Sequence, residues 1–211
     1  MQSIIRIANY SDGVLYALAA LQLLELAVIL DRAWFLRRTI LFGTKLIGRV
    51  AAHGSIGPAE LRGLANEAGE LPEAGILAAA GEVDWHNTDK LDSRMEEAIL
   101  LTAPTLDRRL WVLDTTVTLA PLLGLFGTIL GMFRAFSVLG KPGTAPTAVT
   151  GGVAIALVTT AAGIFVAMVG LLAYNGLSNS VRQVVHQMET LRTLLMNRLT
   201  APATRASLAA E

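Results

Sequence analysis

Residues 115–133 read TTVTLAPLLGLFGTILGMF, nineteen positions without a charged side chain, and residues 142–181, PGTAPTAVTGGVAIALVTTAAGIFVAMVGLLAYNGLSNSV, run for forty more. A hydrocarbon core about 30 Å thick takes roughly 20 apolar residues of helix, so each stretch holds one span. Lipid offers backbone polar groups no partners, which leaves the helix or a closed barrel as the only ways across. The second stretch opens on Pro142, Gly143 and Pro146, residues of a short loop, which puts its span at about 150–174. A third apolar run, residues 13–30, is interrupted by Gln22 and Glu25. A secretory leader competes for that run, but it is long for one and lacks a small-residue cleavage site after it. The chain continues instead with Asp31-Arg32-Ala33-Trp34-Phe35-Leu36-Arg37-Arg38, the aromatic and basic flank of a membrane exit. The expectation is an uncleaved helix.

The rest of the composition agrees. Of 211 residues 16% are charged, against about 25% in an ordinary soluble domain, and mean hydropathy is +0.53. A net charge of zero argues against nucleic acid as a partner, which demands a basic footprint. The absence of cysteine excludes disulfides, thiolate zinc sites and a cysteine nucleophile. Of the 34 charged residues, 23 fall in 31–114. Fourteen of the 17 bases lie in 31–114 or beyond residue 180, whereas Arg6, Arg134 and Lys141 do not. The positive-inside rule then sets the order of segments. Residues 1–12 form an extracytoplasmic N-terminus, 13–30 the first span and 31–114 a cytoplasmic helical domain. Residues 115–137 form the second span, 138–149 a periplasmic loop, 150–174 the third span and 175–211 a cytoplasmic helix and tail. The expected fold is an all-α membrane protein with three transmembrane helices, N-out and C-in, whose long helices extend into the cytoplasmic domain.

Within that domain, Pro58-Ala59-Glu60-Leu61 reads as a helix start, with breaks at 54–57 and 69–72. From Asp89 to Asp114 the one strong breaker is Pro104, so a single helix is expected to run through Asp107-Arg108-Arg109-Leu110 into the second span. After Asn175 the spacing of Val181, Val184, Val185, Met188, Leu191, Leu194 and Leu195 suits an amphipathic helix continuing the third span. The end from Thr200 to Glu211 reads as frayed.

Two series of small residues mark seams. Pro121, Gly124, Thr128 and Gly131 lie on one face of the second span, with Gly127 beside them. Ala156, Thr160, Gly163, Ala167 and Gly170 lie on one face of the third. Small side chains let membrane helices approach closely, so the stripes could pack on each other or on neighbouring subunits. Thr128 and Thr160 are the polar members. A threonine hydroxyl in a span commonly bonds the carbonyl four residues back, and alternatively the pair lines a path for an ion. Thr159 faces about 100° away from Thr160. Glu25 is the one acid among the spans, and an intramembrane carboxyl is a functional candidate by default. Its bland alternatives are a bond to Gln22 or a protonated contact with another helix. Arg134 suits a reach toward headgroups or a partner.

Ala120-Pro121-Leu122-Leu123-Gly124-Leu125-Phe126-Gly127-Thr128-Ile129-Leu130-Gly131-Met132 resembles the second-span signature of the MotA/TolQ/ExbB proton channel family. Gly152-Val153-Ala154-Ile155-Ala156-Leu157-Val158-Thr159-Thr160-Ala161-Ala162-Gly163 resembles its third-span signature, with Tyr174-Asn175 closing the span. Length and topology are most similar to ExbB and TolQ. The resemblance implies an inner-membrane subunit, a homopentamer around a pore that holds an ExbD- or TolR-like single-span partner. It implies that protons are the coupling ion, with no cofactor. The proton motive force then acts through TonB or TolA, energising TonB-dependent transport across the outer membrane or Tol-Pal function. By position, Thr128 and Thr160 match the family's pore-lining threonines, with Thr159 and Glu25 as further candidates for the proton pathway. One departure stands out: the family commonly carries a glutamate where this chain has Ile155. That leaves a non-conducting membrane scaffold as an alternative, beside a related motor driving gliding, secretion or polysaccharide handling. No nucleotide loop, nucleophile elbow or metal-ligand spacing of His53, His86 and His186 supports an enzyme.

Overall fold

A computed structural model describes residues 13–52, 54–83, 85, 87–139 and 146–208, with backbone alone at 138, 139, 146–149 and 200–208. The expected extracytoplasmic N-terminus at 1–12, the loop positions 140–145, His53, His86 and the last three residues lie outside the described residues. Among the described residues the helices run in the order α1 Val14–Ala52, α2 Pro58–Ala68, α3 Pro72–Glu82, α4 Thr88–Leu106, α5 Leu110–Leu139 and α6 Pro146–Leu208. Among the described residues there is no strand. Three stretches, within Val14–Ala52, Thr88–Ser137 and Thr150–Leu199, are long and apolar enough to cross a membrane. Only 22–28% of those apolar windows is buried by the chain itself. Leu122, Phe126, Ile129, Phe133, Phe165 and Leu172 are among the large apolar side chains left outward, a surface that water would not tolerate and lipid does.

Local chemistry sets the helix ends. Proline opens both α2 and α3, where its missing N–H costs nothing. Gly69 closes α2 at φ 56, its N–H reaching the Ala65 carbonyl. Asn87 caps α4, its Oδ1 accepting from the Lys90 amide at 3.0 Å. The start at Pro58 and both breaks are where the sequence places them.

Three expectations need correction. Residues 107–109 interrupt the helix that was to run from Asp89 into the second span, and Arg109 takes φ 70, the left-handed region. The Arg109 guanidinium donates to Asp31 Oδ2 at 2.8 Å, and its carbonyl accepts from the Val112 amide at 3.1 Å. A long-range ion pair at the turn thus accompanies a break that neither glycine nor proline announces. The 138–149 loop is shorter than expected, because α5 runs to Leu139 and α6 starts at Pro146. The backbone from Thr200 is helical through Leu208, in an alanine-rich segment with no glycine to stop it.

The chain divides into two units, residues 1–31 with 109–176, and residues 32–108 with 177–211. In the first, Val14 and Leu18 of α1 pack with Ala120 of α5 and with Val166 and Ala167 of α6. In the second, Leu36, Leu46, Leu61, Ile76, Leu77, Leu91, Met95 and Leu106 are fully buried. So are Val184, Met188, Leu191 and Leu195, the apolar stripe of the tail. Beside that stripe Arg192 forks onto Asp92, Nε to Oδ1 and Nη2 to Oδ2 both at 2.6 Å, and reaches Glu96 Oε2 at 3.1 Å.

The hydrogen bonds from Arg192 hold the Asp92 carboxyl below the usual carboxylate range. A depressed carboxyl stabilises the fold above its ordinary value of 3.8 and loses that contribution as pH falls through its folded value. Both partners are partly exposed, so the pair contributes about 0.5–1 kcal/mol. Thermal unfolding of Arg192→Gln in detergent is expected to show a loss of that size at neutral pH and a smaller acid-induced decline than the parent chain.

Candidate functional site

The first unit is organised by the seam between α5 and α6. A Cβ built on Gly152 would lie 2.9 Å from Ala135 Cβ, and one on Gly131 2.8 Å from Ala156 Cβ. On Gly124 it would meet the Thr159 carbonyl oxygen and Thr160 Cα, both at 3.1 Å. On Gly163 it would fall 2.5 Å from the Ala120 carbonyl oxygen and 3.0 Å from Gly124 Cα. Positions descend α5 as they ascend α6, so the helices are antiparallel in one register. At Gly124 and Gly163 the contacts are backbone against backbone, and at Gly131 and Gly152 backbone against an alanine methyl, closer than a larger side chain at any of the glycines allows. Of the two arrangements open from sequence, the stripes take the first and pack on each other.

The seam places the site residues. Gly127 lies under the Thr159 methyl, and Thr159 is fully buried, its Oγ1 donating to the Ile155 carbonyl at 2.9 Å. Thr128 Oγ1 lies 3.1 Å from the Gly124 carbonyl four residues back. Thr160 Oγ1 lies 3.0 Å from the same carbonyl across the seam, and the two hydroxyls touch each other. Each hydroxyl has one proton, so at any moment one of them donates to Gly124 and the other to Gly124 or to its fellow. This small network has more than one proton arrangement at equal geometry. Pro121 is half-buried within α5, Ala167 belongs to the cluster with α1, and Gly170 faces Val117 and Glu25.

Glu25 is completely buried, and among the described residues neither carboxyl oxygen has a hydrogen-bond partner. Of the two bland alternatives, the bond to Gln22 is not made among the described residues, since Gln22 Oε1 and both Glu25 oxygens have no partner there. Instead the carboxyl lies over α6, with Oε1 3.2 Å from where a Gly170 Cβ would stand. Ile155 is half-buried. Sequence reasoning missed the extension of the seam to Ala135 and Gly152, although both continue the four-residue spacing from Gly131 and Ala156. Among the described residues no group of three or more His, Cys, Asp or Glu could hold a metal ion.

The profile of the MotA/TolQ/ExbB proton channel family matches residues 65–190, which include the whole seam. The chain belongs to that family. It is 34% identical over 162 residues to the ExbB-like 3 protein of Synechocystis, covering 75% of this chain and 77% of that one. An ExbB homolog of Methanothermobacter thermautotrophicus is 28% identical over 188 residues, 87% of this chain and 66% of its own length. The Tol-Pal system protein TolQ of Haemophilus influenzae is 38% identical over 81 residues, 38% of this chain and 36% of its own. The chain thus spans just under two thirds of the archaeal relative and a little over three quarters of the cyanobacterial one. Membership and the three apolar helices make it a multi-pass membrane protein of the proton-channel type, most similar to ExbB and TolQ.

The seam tolerates no added bulk where backbones touch. Gly163→Val is expected to cost at least 1–3 kcal/mol, roughly the overpacking range, read as a lower melting temperature in detergent. Gly176→Ala, with nothing within 4 Å of its Cβ position, is expected to be neutral or to stabilise by up to about 0.5–1 kcal/mol.

Proposed function

We propose that the chain is an ExbB- or TolQ-like subunit of an inner-membrane energiser. In this reading it passes protons inward together with an ExbD- or TolR-like single-span partner. The observation that carries the proposal is the hydroxyl pair Thr128 and Thr160, which share the Gly124 carbonyl within the α5–α6 seam. Hydroxyls able to exchange donor and acceptor roles suit a hydrated path, because each accepts from one side while donating to the other. A proton path also needs a group that binds and releases protons. In this chain the second and third spans, 115–137 and 150–174, carry no acid, and the position where the family commonly has a glutamate is Ile155. The partner then supplies the principal carboxylate, and Glu25, buried and unpartnered in the same unit, is the subunit's own candidate.

The distribution of bases supports an N-out, C-in orientation, with the second unit in the cytoplasm. The apolar faces of α5 and α6 left outward suit lipid and neighbouring copies in a homo-oligomer, for which a pentamer is the family expectation. TonB-dependent transport or Tol-Pal function is the proposed output. Ile155 favours one second reading, a non-conducting scaffold.

Proton flux into liposomes holding the chain and its partner separates these readings. Thr160→Val, and to a lesser degree Thr128→Val, is expected to reduce flux at least about tenfold, roughly 1.4 kcal/mol in barrier, with assembly intact. Thr160→Ser, which keeps the hydroxyl, is expected to retain most of it, and Glu25→Gln to reduce it. Unchanged flux in the Thr128/Thr160 double valine variant contradicts the pore role. No flux from the parent chain under an imposed gradient establishes the scaffold.

A further inference from the structure

Glu73 stands in the first turn of α3, with 1% of its surface exposed, and neither carboxyl oxygen has a hydrogen-bond partner among the described residues. Its Oε1 lies 2.6 Å from the point where a Gly43 Cβ would sit on α1, and Gln187 Oε1 of α6 lies 2.8 Å from that same point. Two side-chain oxygens from two helices thus converge over the bare Cα of a third, and Gln187 Oε1 also lacks a partner. Only glycine at position 43 leaves room for them.

The orientation of the Gln187 amide is fixed by its other end. Gln187 Nε2 donates to Thr44 Oγ1 at 2.9 Å and to the Ile40 carbonyl at 3.3 Å. The Thr44 hydroxyl proton is already used, since Oγ1 donates to the Ile40 carbonyl at 2.8 Å. Turning the amide over would set its oxygen against the Ile40 carbonyl and would take the Thr44 hydroxyl proton away from that carbonyl, so the oxygen faces Glu73. Two buried oxygens then confront each other with no proton between them. An ionised carboxylate there would be desolvated, unpaired and opposite another acceptor, each a destabilising circumstance. A protonated carboxyl removes all three at once, because its O–H is the missing donor.

The neighbours bring no counter-charge. Among the described residues, the groups converging with Glu73 are uncharged: the Gly43 backbone of α1 and Gln187 of α6, while Thr102 of α4 lies beside Gly75, two residues further along α3. Lys45 on α1, His186 and Glu189 on α6, and Arg94, Glu96 and Glu97 on α4 are exposed, and Asp92 is engaged with Arg192. We propose that Glu73 is a proton-binding site of the helical unit, which in its neutral form donates to Gln187 over Gly43 and ties α3 to α1 and α6, and in its ionised form releases them. Burial pushes the carboxyl up to about 7, while its own amide approaches and opposes the shift without reaching hydrogen-bond geometry. Because the value is raised, the stabilisation is complete below the ordinary value of 4.5 and is lost as pH rises through about 7. The site makes no use of the membrane seam, so the fate of conduction in the seam variants leaves it standing.

Amide hydrogen exchange on the full chain in lipid nanodiscs reads this directly. After correction for intrinsic exchange rates, protection of 72–82 and 40–47 is expected to fall about tenfold from pH 6 to pH 8 in the parent chain, the change that values of 4.5 and about 7 give by linkage. In Glu73→Gln, which is neutral at every pH and carries its own donor, the same segments are expected to keep their protection at pH 8. Equal pH profiles for the two proteins overturn the proposal. So does a parent chain whose protection does not change between pH 6 and 8, a result that stands whether or not the variant folds.

Discussion

At Gly124 and Gly163 two membrane helices touch backbone to backbone, and the arrangement of the first unit depends on that contact. Lipid supplies no hydrophobic drive for the pairing, so α5 and α6 hold together through close packing and the few polar bonds that closeness permits. Because the Gly124 carbonyl is within reach of α6, it lies at hydrogen-bond distance from the Thr160 hydroxyl as well as its own Thr128. The same antiparallel register sets Gly127 under Thr159 and Gly170 against Val117, and Glu25 of α1 reaches Gly170 beside it. Steric necessity along the seam and the placing of its polar groups are therefore one fact seen twice: the glycines determine where the hydroxyls can meet.

The second unit is held by different physics. Its buried Leu, Ile and Met side chains make an ordinary water-excluding core, with the Arg192–Asp92–Glu96 cluster on its surface. Buried carboxyls occur in both units and do different things there. Glu25 lies unpartnered over the glycine of a neighbouring helix inside the membrane unit. Glu73 lies over Gly43, where the Gln187 amide oxygen also converges. In each case a glycine makes the space that a carboxyl enters, and in each case no base among the described residues bonds to it.

Much of this was legible in the residues. Uncharged runs at 115–133 and 142–181 mark two spans because charge is the one thing lipid excludes, and the spacing of Gly124, Gly131, Ala156 and Gly163 marks the faces that must approach. Proline at 58 and glycine at 69 announce helix ends because their backbones admit few alternatives. Spacing names a face without naming its mate, so the pairing of Gly124 with Thr160 waited for the fold. The break at 107–109 was illegible because Arg109 has no intrinsic taste for φ 70, and the Asp31 that pairs with it lies far away in sequence. Glu73 reads as one more acid in a charged segment, since its burial depends on Gly43 and Gln187, which the sequence does not place beside it.

The central claim is that the threonines at the seam border a water-filled path once the subunits and their partner are assembled. The chain has no cysteine, so an introduced thiol is the only one this subunit carries. The most direct measurement is the rate at which Thr160→Cys, assembled with its partner in membrane vesicles, reacts with a small charged, membrane-impermeant thiol reagent, set against Phe165→Cys on the outward face. The account predicts that Thr160→Cys reacts at least about tenfold faster, because the reagent and the thiolate both require water. Equal, negligible reactivity at the two positions would contradict it.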